Sequence, residues 1–147
     1  FLLRYYINII LSNNFSATGK LYEEYKNLGL VINMGSNVNI IDDYVIITIS
    51  ALTKDGNKFI ERIKEDILNI SIDEESFERK KKLFLKSYIL DFDNIEDVEY
   101  NICLSVMLEN KINCDEYSMI NNMKYDKAKN ILDNITFENI SIIKTIK

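Results

Sequence analysis

The chain has 147 residues, 47% of them hydrophobic and 28% charged, with 18 basic against 23 acidic side chains and a net charge of −5. A chain of this length buries roughly 70% of the surface its unfolded form exposes, and with no proline and only four glycines it shows no linker, so one continuous core is expected. The acidic balance argues against nucleic-acid binding, no run approaches the ~18 uninterrupted apolar residues of a membrane span, and the lack of any histidine excludes a histidine-ligated zinc centre and the commonest catalytic triads.

The chain opens Phe1, Leu2, Leu3, Arg4, without a methionine and without the basic start and small-residue cleavage pattern of a secretory signal. It reads as a piece of a longer polypeptide, forming a single domain over residues 1–147. Leu2 to Leu11 is apolar and helix-length and closes at Ser12, Asn13 and Asn14. A second helix is expected from about Gly19 to Leu28, with Gly29 supplying its left-handed stop.

From Leu30 the period changes to two. Ile32, Met34, Val38 and Ile40 fall on one face of a strand and Asn33, Gly35, Asn37 and Asn39 on the other. Asp42 and Asp43 mark a turn, and the β-branched run Tyr44 to Leu52 returns antiparallel to form a hairpin. Asn57 to Asn69 restores helical spacing through Phe59, Ile60, Ile63 and Ile67, and should pack on the sheet.

The next helix has the clearest start signal: Asp73 as cap, Glu74 and Glu75 at the positive end of the dipole, and Ile72 placed to staple onto Phe77. Phe77, Phe84, Leu85, Tyr88, Ile89 and Phe92 form its apolar stripe, and Arg79, Lys80, Lys81, Lys82 and Lys86 its basic, solvated face. A helix from Ile95 to Glu109 should bury Ile95, Val98, Ile102, Cys103 and Val106, and shorter helices cover Asp115 to Asn121 and Tyr125 to Asn134. Ile140 to Thr145 reads as a closing strand. The order implies an α+β fold, a largely antiparallel sheet with helices packed on one face.

Few constellations carry chemistry. The serines lack a base or a Gly-x-Ser-x-Gly elbow, Cys103 and Cys114 form no Cys-x-x-Cys pair, and Gly19, Gly29, Gly35 and Gly56 are too dispersed for a phosphate cradle. Cys103 reads as core and both thiols as reduced, which fits the cytoplasm. The acidic pairs Glu23 with Glu24, Asp42 with Asp43 and Asp115 with Glu116 lack calcium-loop spacing and read as caps and turns. The unusual feature is the asparagine face: Asn33, Asn37 and Asn39 project together with groups that donate and accept, either as a solvent face or as a surface that receives a peptide.

Several strings, in this order, resemble the C-terminal half of an insulinase or pitrilysin family zinc metallopeptidase: Ser16 through Tyr22, the charged Glu23 to Lys26, then Leu28, Gly29 and Leu30; Asp73 through Lys81; and Tyr125 to Ile135 followed by Ile140 to Ile146. The flavour is that of bacterial processing-peptidase-like proteins. The resemblance implies that zinc and its His-x-x-Glu-His motif belong to an N-terminal half or a homologous partner chain, with no cofactor in this chain. The resemblance further implies that this half closes a chamber around a peptide substrate, which makes Asn33, Asn37 and Asn39 candidate substrate-facing residues. Active relatives often add an arginine and a tyrosine near the Leu-Gly segment. Here that neighbourhood carries Glu23, Glu24 or Tyr25 and Leu30 to Ile32, so the expected pair is missing and the half is expected to be non-catalytic. The alternatives are a scaffold domain of a peptidase-like protein that has lost activity, and an anion-binding module built on the basic helix.

Overall fold

The structure is a computed structural model describing residues 2–41, 44–110, 112, 115–137 and 139–145, with backbone alone at 108 and 109. The first helix, α1 (Leu2–Phe15), is apolar on nearly every side, the pattern of a helix buried in a core. Tyr6, Ile7, Ile9, Ile10, Leu11 and Phe15 are all buried. Sequence alone ends this helix one turn early, because Asn13 and Asn14 look like stop signals. Both are instead buried, and both side-chain amides donate to the Ser71 carbonyl at 3.1 Å. One oxygen with two lone pairs thus satisfies two interior donors and fixes the segment that leads into α4 (Glu74–Asp91).

Helix α2 (Lys20–Asn27) ends as expected: Gly29 has φ +66°, its N–H donates to Lys26 O and the Leu30 N–H to Tyr25 O, the paired bonds of a glycine C-cap. Strands β1 (Asn33–Ile41) and β2 (Tyr44–Leu52) pair antiparallel, with Asn33 opposite Leu52 and Ile41 opposite Tyr44. The expected turn at Asp42 and Asp43 lies outside the described residues. Met34 and Val38 of β1 are buried, Ile47, Ile49 and Ala51 of β2 pack against the same core, and α1 covers this face. Helix α3 (Gly56–Asp66) is capped by Asp55, and a short 3-10 turn, Ile67–Asn69, follows. Helix α3 joins the same core through Phe59, Ile60 and Ile63 and is also held against α2, where Phe59 meets Tyr25 edge-on at 6.0 Å and Arg62 pairs with Glu24 at 2.7 Å.

Asp73 caps α4 as expected, accepting from the Ser76 N–H at 2.7 Å, and Ile72 and Phe77 join the same core. Helix α5 runs from Ile95 to Glu109 with Asn94 as its cap and left-handed Asn110 beyond its end, and α6 (Glu116–Asn121) and α7 (Tyr125–Asn134) return to pack on α1 and α4. The α+β class with helices on one face of an antiparallel sheet is therefore the fold observed.

Three expectations are corrected. Helix α5 does not bury Ile95, Ile102, Cys103 or Val106, all of which are exposed, since no other element packs closely on it among the described residues. Likewise Ile89 and Phe92, on the last turns of the α4 stripe, are exposed. Residues 140–145 form no strand, and Ile140, Ile142 and Ile143 are exposed. A β-branched run becomes a strand only beside another strand that takes its backbone hydrogen bonds, and the described sheet is the β1–β2 pair alone. No described helix is long and apolar enough to cross a membrane.

Candidate functional site

The uncovered face of the hairpin follows from the register. Alternation sends Met34 and Val38 to the core, so their neighbours Asn33, Asn37 and Asn39 emerge together and are exposed. Pairing places Leu52, Thr48 and Ile46 directly across from these three asparagines, and Ser50 across from Gly35. The face is thus a strip of amides and hydroxyls with Ile46 and Leu52 among them, a mixture that can take both the backbone and the apolar side chains of an extended chain. The β2 contribution is legible only once the register is known.

Two of the asparagines are partly committed. The Asn33 Oδ1 accepts from the Met34 N–H and the Asn37 Oδ1 from the Val38 N–H, each at 2.9 Å. Their oxygens are turned onto the strand, leaving the NH2 groups as the outward donors.

A second polar cluster lies in the interior. Lys80 is 4% exposed and Lys81 is also buried, which corrects the solvated-face reading for both. Lys80 and Lys81 sit three and four residues after Phe77, inside the apolar stripe, and that spacing could have revealed them. The Lys80 ammonium donates to Ser16 Oγ and Thr18 Oγ1, both at 3.0 Å, and the Ser16 hydroxyl in turn donates to Ser12 O at 2.5 Å. Lys81 bonds Glu78 and the Met123 carbonyl and lies over the Phe77 ring. The two most distinctive strings of the sequence, around Ser16 and around Lys80, therefore meet in space through one ammonium group, at the C-terminal end of α1 where the helix dipole is negative.

Burial, and then the neighbouring Arg79, hold the Lys80 pKa below the ordinary lysine value. The sign follows: the cost of burying this charge is full below the depressed pKa and is relieved as pH rises from it toward the unfolded value. Lys80→Met is expected to change stability by less than about 1.5 kcal/mol at neutral pH, because a similar volume replaces a buried charge. Wild type should gain stability relative to that variant as the pH is raised into the alkaline range. Urea titrations of both proteins at neutral and alkaline pH check this, and a stability difference that stays flat with pH would contradict it.

The acidic pairs are engaged one residue at a time. Glu24 pairs with Arg62, which also holds Asp66 at 2.7 Å, and Tyr25 donates to the same Asp66 oxygen at 2.7 Å. Burial, followed by the hydrogen bond to Asp66, raises the Tyr25 pKa far above the usual phenol value. Tyr25 is wholly buried, and together with Arg62 it ties α2 to α3. Glu116 accepts from the Tyr5 hydroxyl, Asp42 and Asp43 lie outside the described residues, and no group of three or more cysteine or carboxylate residues able to hold a metal occurs among the described residues. With no histidine in the sequence, this chain has no ligand for a histidine-bound zinc centre.

No family model matches this sequence, and no curated protein matches it either. In three dimensions the chain is similar to the crystal structure of a protein described as an M16-like peptidase, from Alicyclobacillus acidocaldarius, with a TM-score of 0.77 and 19% identity over 89% of this chain. The chain spans about a third of that protein, 32% of its length. The likeness is one of fold alone.

Proposed function

We propose that this chain is a non-catalytic half of a zinc-metallopeptidase-like assembly, enclosing and helping to bind a peptide while zinc and water activation reside in an N-terminal half or a homologous partner. The observation that carries it is the fold likeness to an M16-like peptidase over 89% of this chain, joined to a sequence with no histidine. On this reading Asn33, Asn37 and Asn39 face the enclosed peptide, and the outward NH2 groups of Asn33 and Asn37 donate to its carbonyl oxygens. The free, exposed Cys103 thiol suits a reducing compartment, so the cytoplasm is part of the proposal.

The test uses the purified chain, zinc and a set of fluorescent peptides. The expected result is no stoichiometric zinc, no cleavage, and weak peptide binding that drops about 3- to 10-fold in the N37D/N39D variant, where donors become acceptors. Zinc with turnover would refute the division of labour, and binding untouched by the double variant would refute the substrate-facing role.

A further inference from the structure

The apolar surface left open on α5 is broad and ordered. Ile95, Ile102 and Val106 form one ridge, and Tyr100, Cys103 and Met107 the next, at the three, four and seven spacings that align residues along a helix. All six are exposed, Ile95 at 82% and Met107 at 81%. Just before it in the sequence, the last turns of α4 leave Ile89, Leu90 and Phe92 exposed as well.

Charge on this arm is one-sided. From Ser87 to Asn110 the sequence holds Asp91, Asp93, Glu96, Asp97, Glu99 and Glu109 and no lysine or arginine. These six exceed the net charge of −5, so over the rest of the chain basic residues slightly outnumber acidic ones. Two of the six stand inside the apolar band: Glu99 is four residues from both Ile95 and Cys103, and Glu96 is four from Tyr100. Neither makes an ion pair among the described residues.

A cover over these ridges removes Glu96 and Glu99 from water. That is unfavourable unless the cover brings cations to them. A second copy meeting this face brings carboxylates against carboxylates, and nucleic acid or an anionic membrane is repelled. We infer that the outer face of α5, with the last turns of α4, docks a protein partner whose surface alternates lysine or arginine with aliphatic side chains. This stands independently of the peptidase reading.

The probe is a synthetic helix of about 18 residues, five turns, with leucine along one face and lysine flanking it. Two controls replace its lysines by glutamate or its leucines by glutamine. The whole chain should bind only the leucine-lysine peptide, with hydrogen-exchange protection confined to 89–107 and affinity falling several-fold from about 0.05 to 0.5 M salt. E96K/E99K should weaken that binding at least about tenfold and gain binding of the glutamate peptide; Y100S/M107S should lose both. These positions are exposed, and circular dichroism confirms that the variants fold. Equal binding of the lysine and glutamate peptides, protection elsewhere, or a dimer lost in Y100S/M107S overturns the inference.

Discussion

Replacing Phe77 with alanine is expected to lower the unfolding free energy by about 3–5 kcal/mol, the range for deleting a buried aromatic side chain. Phe77 has no exposed surface and lies at the point where three helices converge. Its ring stacks on Tyr6 of α1 at 6.2 Å and 13°, meets Tyr125 of α7 at 6.1 Å, and lies beneath the Lys81 ammonium at 5.6 Å. The rings on either side are fixed in their turn, Tyr6 by the Lys124 N–H and Tyr125 by the Ile72 carbonyl, so the cavity has little freedom to collapse. Against a typical total of about 5–15 kcal/mol, such a loss brings the domain near its limit. Urea unfolding of the two proteins measures it. Phe77→Leu should recover about half, and a loss below about 1.5 kcal/mol would mean that the helices close over the gap.

Gly19→Ala is the second large effect, about 1–3 kcal/mol, the cost of forcing an extra carbon into filled space. A Cβ at Gly19 would lie 2.5 Å from both the carbon and the oxygen of the Asn14 carbonyl, and 2.8 Å from the Phe15 nitrogen. These are backbone atoms that cannot rotate away. The Gly19 N–H also donates to Ser16 O at 2.7 Å, so the loop between α1 and α2 is drawn tightly under the end of α1. Displacing it pulls Ser16 and Thr18 from Lys80, so the variant should lose stability by loosening that junction. Gly35→Ala and Gly56→Ala are the controls, since a Cβ at either meets open space. Thermal melts should show a depressed midpoint for Gly19→Ala alone, and equal melting of all three would contradict the close approach.

Local signals carried most of the fold. The Asp73 cap, the Gly29 stop, and the alternation through Met34 and Val38 each depend on a few adjacent residues, and each appears where the sequence puts it. The errors share one cause: they concern which surfaces are covered, which depends on contacts distant in sequence. Asn13 and Asn14 became helix interior because Ser71 waits more than 50 residues later to accept their protons. Charge alone marks Lys80 and Lys81 as solvated, whereas their position beside Phe77 decides their burial. The apolar residues of α5 and of 140–145 signal that something should cover them, and nothing local says that the cover is absent from the described fold. At the hairpin, Asn33, Asn37 and Asn39 were legible from alternation, whereas Thr48, Ser50 and Ile46 needed the strand register.

The central place of α1 has a consequence during synthesis. This helix is made well before its cover: the Lys124 N–H that bonds Tyr6 lies 118 residues farther along the chain. At ribosomal rates that interval lasts about 6–24 s, far longer than a helix takes to form. Throughout it Ile7, Ile10, Leu11 and Phe15 have no α7 to shelter them, which makes the nascent chain a natural client for a chaperone that holds apolar helices.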